Sequence, residues 1–112
     1  MTLDLGHCAF FKEVSIIKDL SERVRTLNNV IRSLILELGP KLFLVHAHNV
    51  DPINWKDCVS LPRGVIDFNI VIDALVDVEY KGFFVIELEE REAKDRALES
   101  GEFLSGMLSK MR

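Results

Sequence analysis

Short apolar runs alternate along the chain with longer stretches in which apolar residues recur every third or fourth position, the sequence pattern of strands followed by helices. The first run, Thr2-Leu3-Asp4-Leu5-Gly6, leads through a loop into Ile16, Ile17, Leu20, Val24, Leu27, Ile31, Leu34, Ile35 and Leu38. These steps of three and four predict one continuous apolar stripe on a long helix or two abutting ones. Ser15 is placed to cap it and Gly39-Pro40 to end it. The second run, Lys41-Leu42-Phe43-Leu44-Val45-His46-Ala47-His48, is apolar on both faces until its end, as in a strand of a covered parallel sheet. A polar stretch from Asn49 to Gly64 follows, with Pro52, Pro62 and the single tryptophan, Trp55. At about 16 residues it exceeds the usual strand-to-helix loop, and long ordered loops in small domains tend to carry function. Asp67 then caps a helix in which Phe68, Val71, Ile72, Leu75 and Val78 share a face. The third run, Phe83 to Leu88, follows Gly82 and ends in the acidic group Glu87, Glu89 and Glu90. From about Arg91 the pattern predicts a charged helix, a break near Gly101, and a short apolar helix using Phe103, Leu104, Met107, Leu108 and Met111. Three βα units and a parallel sheet in a single domain, residues 1–112, are the expectation.

Composition narrows the function classes. The 112 residues carry 18 acidic and 14 basic side chains, a formal charge of -4 and a pI near 5.3. Binding to a polyanion needs clustered Lys and Arg in excess, so nucleic acid is not expected as a partner. No apolar run approaches the roughly 18 residues of a membrane span, and the N-terminus lacks a basic region followed by an apolar core. A cytoplasmic protein is the expectation. Cys8 and Cys58 have no CxxC spacing, which argues against a disulfide scaffold or a structural zinc knuckle.

Chemistry concentrates at the strand ends. Asp4 and His7 follow the first strand, His46 and His48 close the second, and Glu87 closes the third. Ligands of parallel α/β folds bind at the carboxyl ends of strands, where Asp, His and Glu from neighbouring strands can meet around a cation. Carboxylate oxygen with imidazole nitrogen suits Mn, Zn, Co or Fe better than Ca or Mg. His46 and His48 lie two apart and so share a strand face. Glu87 sits in an apolar run, where an unpartnered carboxylate is costly. Glu89, Glu90 and Glu92 read as a solvated helix start favoured by the macrodipole.

Taken in order, Asp4-Leu5-Gly6-His7, Val45-His46-Ala47-His48, Leu61-Pro62-Arg63-Gly64 with Ile66-Asp67-Phe68, Tyr80-Lys81-Gly82, Ile86-Glu87 and the closing Ala97 to Leu104 segment cover nearly the whole chain. In that order and spacing the chain resembles the xylose isomerase-like TIM-barrel superfamily, which includes sugar isomerases and epimerases, inosose dehydratases and the type IV apurinic endonucleases. The resemblance implies an α/β fold, a partial TIM barrel whose three βα units correspond to the last three of a (β/α)8 barrel. It also implies that Asp4, His48 and Glu87 ligate a divalent cation (Mn, Co, Zn or Mg), that His7 contacts substrate, and that His46 occupies an inward-facing substrate-side position. Glu87 would serve in addition as a catalytic base in isomerisation or epimerisation of a sugar, sugar phosphate or polyol.

Other implications concern what surrounds that site. The family's remaining glutamate ligand comes from the strand before this segment, so the isolated chain is expected to be inactive until the barrel is completed. The loop that in relatives carries an Asp-x-His or Glu-His pair followed by Gly-Glu-Gly reads Lys56-Asp57-Cys58-Val59-Ser60-Leu61-Pro62-Arg63-Gly64 here, without the histidine, which ranks an endonuclease below a sugar isomerase or epimerase. Three strands with helices on one face leave the other face and both edges open, so a homo-oligomer or a complementary barrel chain is expected. A non-catalytic remnant or assembly subunit of the same fold is the rival reading.

Overall fold

A computed structural model of the chain describes residues 1–89 and 93–109. The sequence expectations at Glu90, Arg91, Glu92 and Met111 lie outside them. The strands are Thr2–Asp4 (β1), Leu44–Ala47 (β2) and Phe83–Ile86 (β3), and the helices are Lys12–Ser15 (α1), Leu20–Leu38 (α2), Phe68–Asp77 (α3) and Ala93–Leu108 (α4). Single 3-10 turns occupy Gly6–Phe10, Gly39–Lys41 and Leu61–Arg63.

The apolar stripe from Ile16 to Leu38 divides into a short helix and a long one. Asp19 rather than Ser15 caps the long helix, its carboxylate accepting the Glu22 N–H at 2.9 Å. Ser15 instead lies in the last turn of α1, where its own N–H is already held by the Phe11 carbonyl at 2.9 Å. Gly39 ends α2, and Asp67 caps α3 through the Asn69 N–H at 2.9 Å, both as expected. The break expected at Gly101 is absent, because α4 runs through that position. A mid-helix glycine costs only about 1 kcal/mol, and Leu104 and Met107 on the same helix bury against the core.

All strand pairing is parallel, in the order β1-β2-β3. The register aligns Leu3 with Val45 and Phe84, and Asp4 with His46 and Val85. Because side chains change face at each residue, Leu3, Val45 and Ala47 enter the core with Leu27, Ile31 and Ile35 of α2 and Val71, Ile72 and Leu75 of α3. The opposite face carries Thr2, Asp4, Leu44, His46, Phe83 and Val85. It is open, with Phe83 76% and Val85 43% exposed.

This architecture corrects the expected partial TIM barrel. The chain is a small α/β domain with a three-stranded parallel sheet and four helices, not a three-unit stretch of barrel wall. Its Cα radius of gyration is 13.3 Å, against about 13 Å for a self-contained domain of this length. Beyond β3, α4 packs on α3 and on the 61–63 turn as well as on β3, and one apolar core gathers sheet and helices. Alternating strand and helix patterns are common to every parallel α/β fold, so they identify the class but not barrel closure. Among the described residues no helix is long and apolar enough to cross a membrane.

A Cβ added at Gly101 meets nothing within 4 Å. Gly101→Ala should therefore raise unfolding stability by about 0.5–1 kcal/mol, by relieving the entropy cost of a helical glycine. Urea titration checks this; a lowered midpoint contradicts the account of α4.

Candidate functional site

The site lies where the three strands end. Asp4 closes β1, and its Oδ1 accepts the His7 N–H at 3.1 Å, which sets the 3-10 turn over Gly6–Phe10. The same Oδ1 is bonded to His48 Nε2. The other oxygen, Oδ2, lies 3.5 Å from His7 Nδ1 and 3.8 Å from His46 Nδ1. Glu87 continues the β3 ladder, its N–H on the Ala47 carbonyl at 3.1 Å, and its Oε1 lies 2.6 Å from His46 Nδ1. Ligand atoms of Asp4, His48 and Glu87 all lie within 4.8 Å of one another. The structure thus brings Asp4, His46, His48 and Glu87 together, with His7 exposed at the rim.

The two histidines of β2 differ in surroundings. His46 is half-buried on the open sheet face, whereas His48, beyond the strand end, has no solvent contact. Its Nδ1 accepts the Cys58 N–H at 2.8 Å, and the Gly6 N–H lies 3.2 Å from its Nε2. Gly6 is required by this approach: a Cβ there would collide with the His48 ring and with Asp57 Cβ.

Sequence reasoning marked the 49–64 loop by its length but did not name the residues that tie it to the site. Residues 49–64 fold back onto it through Asn49, which is fully buried and fully bonded. Its Nδ2 donates to the carbonyls of Leu61 (2.7 Å) and Ile66 (3.2 Å), while its Oδ1 accepts the N–H groups of Val50 (2.7 Å) and Ile66 (2.8 Å). Asp57 reaches His7 Nε2 at 3.4 Å, and the Cys58 carbonyl accepts the Glu89 N–H at 2.9 Å. Trp55 and Cys58 take left-handed conformations, φ 53 and 61, a cost that surrounding contacts must offset. For Trp55 those contacts are an indole N–H donated to the Ala9 carbonyl at 2.9 Å and the Arg23 guanidinium 4.9 Å above the ring. A lone Asn directly after a His-x-His strand end was the available signal.

His48, Asp57 and Cys58 form a second grouping of metal-ligand type. It is a poor thiolate site: burial and then the carboxylates of Asp57, Glu89, Glu87 and Asp4 push the Cys58 thiol up to about 12, and the thiolate is the form that ligates metals.

The far end of the loop is tied to α4. Ser60 Oγ donates to Glu99 Oε1 at 2.6 Å, and Arg63 grips both Glu99 oxygens at 2.7 and 2.9 Å. These donors, Arg63 first and Ser60 second, lower the Glu99 carboxyl from 4.5 to about 2.

For comparison with known proteins, 49 residues of the chain, 44% of it, are 39% identical to part of an uncharacterized protein of Methanocaldococcus jannaschii. That stretch is 18% of the relative's length, so the chain matches less than a fifth of it. No family model and no solved structure matches the chain.

Because the folded Glu99 value is depressed, its contribution to stability is present above pH 4.5 and is lost as pH falls towards 2. The stability difference between the native chain and Glu99→Gln should therefore shrink over that window. Urea midpoints measured across it check this; a difference constant with pH contradicts it.

Proposed function

We propose that the chain is a divalent-metal domain acting on a sugar, sugar phosphate or polyol in the manner of isomerases and epimerases of the xylose isomerase-like family, in the cytoplasm. The observation that carries this reading is the convergence of Asp4, His48 and Glu87 at the ends of three adjacent strands, with ligand atoms within 4.8 Å of one another. Two carboxylates and an imidazole are a donor set that fits Mn, Co or Zn, and Mg less well. The carboxylates of Asp4 and Glu87, with the His48 imidazole, would hold the cation. When bound, it supplies Lewis-acid polarisation of neighbouring substrate oxygens.

The chain's own groups do the rest. Glu87, half-buried and held by His46 through Oε1, is a carboxylate able to take a proton from a carbon beside a carbonyl. His7, exposed between Asp4 and Asp57, presents an imidazole to a substrate hydroxyl. The 49–64 loop forms a fixed wall beside them.

A second reading, a non-catalytic assembly subunit, is favoured by the open sheet face, where Phe83 and Val85 meet solvent. Either reading calls for association with a second copy or a complementary chain, since parallel sheets are ordinarily covered on both faces.

Assays of the Mn- or Co-loaded chain on a panel of ketoses and aldoses separate the readings. The isomerase reading predicts metal-dependent interconversion that Glu87→Gln lowers by about 10²–10⁴-fold. Turnover unchanged in Glu87→Gln or after chelation contradicts it, and bound metal without turnover supports the assembly subunit. Light scattering after size exclusion should show a dimer or larger species; a monodisperse monomer contradicts the expected association.

A further inference from the structure

We propose that the open edge of β3 is a self-pairing surface, on which β3 of a second copy of this chain lies antiparallel to make one six-stranded sheet. The inference rests on the association expected above and not on the cation.

Of the two outer strands, one is closed off and the other is not. The Leu5 N–H bonds to the His46 carbonyl, so by alternation the backbone of Asp4 points away from β2. Its carbonyl is met there by the Cys8 thiol at 3.6 Å, and the chain then turns aside into the 6–10 turn. The edge of β3 has no such cover. The Phe83 and Glu87 N–H groups bond to the Phe43 and Ala47 carbonyls on the β2 side, so Phe84 and Ile86 turn their N–H and C=O groups outward. Among the described residues nothing bonds to those four groups. Sheet edges are ordinarily protected by a charged side chain, a proline or a bulge. Phe83-Phe84-Val85-Ile86 has none of these, and Phe83 and Val85 are exposed on the open face.

Unpaired backbone of this kind calls for an extended strand, and the pattern of β3 fits its own copy. A two-fold axis through Val85 places Phe84 opposite Ile86 of the second copy, and Ile86 opposite its Phe84. These are hydrogen-bonded pairs of an antiparallel ladder, and their four hydrogen bonds satisfy every outward group on both strands. Val85 then faces Val85 of the second copy at the closer, non-hydrogen-bonded spacing, and Phe83 stands beside Glu87 of the second copy. Charge favours the same arrangement. Glu87 is the charged side chain nearest the axis, and antiparallel pairing carries its two copies to opposite ends of the ladder, whereas parallel pairing in register would set like charges side by side. Such an isologous contact closes on itself and leaves only the covered β1 edges outermost.

The test uses the intact chain. Light scattering after size exclusion should show a dimer, and hydrogen exchange should show its Phe84 and Ile86 amides protected, with the protection lost on dilution to monomer. Val85→Lys sets two like charges against each other at the axis and should weaken dimerisation by about tenfold or more. Val85→Cys should cross-link under mild oxidation, because the Cα spacing of a non-hydrogen-bonded antiparallel pair, about 4.5 Å, is within disulfide reach. Ile53→Cys, on the exposed 49–64 loop, should not. A dimer whose Phe84 and Ile86 amides exchange freely, or which Val85→Lys leaves intact, overturns the proposal while association stands; so does equal cross-linking of the two cysteine variants. A monomer overturns both and leaves the cation reading untouched. Should a variant not fold, amide exchange in the native chain still decides.

Discussion

Alternation of side chains along three short parallel strands is the constraint on which the site depends. Once Leu3, Val45 and Ala47 are committed to the core, Asp4 and His46 must project from the other face, and the register places them opposite each other. Glu87 joins them because its N–H extends the β2–β3 ladder by one bond to the Ala47 carbonyl. A slip of one residue in either pair would exchange the polar and apolar sets between faces, so burial of the apolar set stabilises the convergence of the polar one. Core and site are two consequences of the same register.

The loop between β2 and α3 supplies what the sheet cannot. The strands stop at the carboxyl end with backbone groups and an enclosed imidazole still to satisfy. Asn49, Cys58 and the Gly6 turn provide those partners from loop and turn backbone. Two non-glycine residues in left-handed conformations are accepted to bring this about. At its far end the loop is anchored on α4 through Ser60, Arg63, Glu99 and Ser100, with Ser60 and Ser100 fully buried. The α4 helix therefore acts as a brace for the loop as well as a wall of the core.

Much of this was legible in the residues. The three strands, the long helix stopped at Gly39, the cap at Asp67 and the gathering of Asp4, His46, His48 and Glu87 at one sheet end all follow from apolar periodicity and the position of polar residues at strand ends. Barrel curvature was not legible, because strand and helix alternation leaves the number of strands and their closure unspecified. The cap at Asp19 was hidden by Ile16 and Ile17, whose apolar character extends the helical stripe across a real break. The supposed stop at Gly101 overrated a small propensity against the burial of Leu104 and Met107. The different surroundings of the His-Ala-His pair were not legible either: both residues sit on one strand face by spacing, and it is the enclosure of His48, with the Cys58 and Gly6 N–H groups on its ring nitrogens, that distinguishes them.

The central claim is that carboxylates and an imidazole from adjacent strand ends hold one divalent cation. The most direct measurement is a crystal structure of the chain grown with Mn2+, with data collected for anomalous scattering. The account predicts a single strong anomalous peak in contact with Asp4 and Glu87 at the carboxyl end of the sheet. A map with no peak there, or with the ion held elsewhere on the chain, would contradict it.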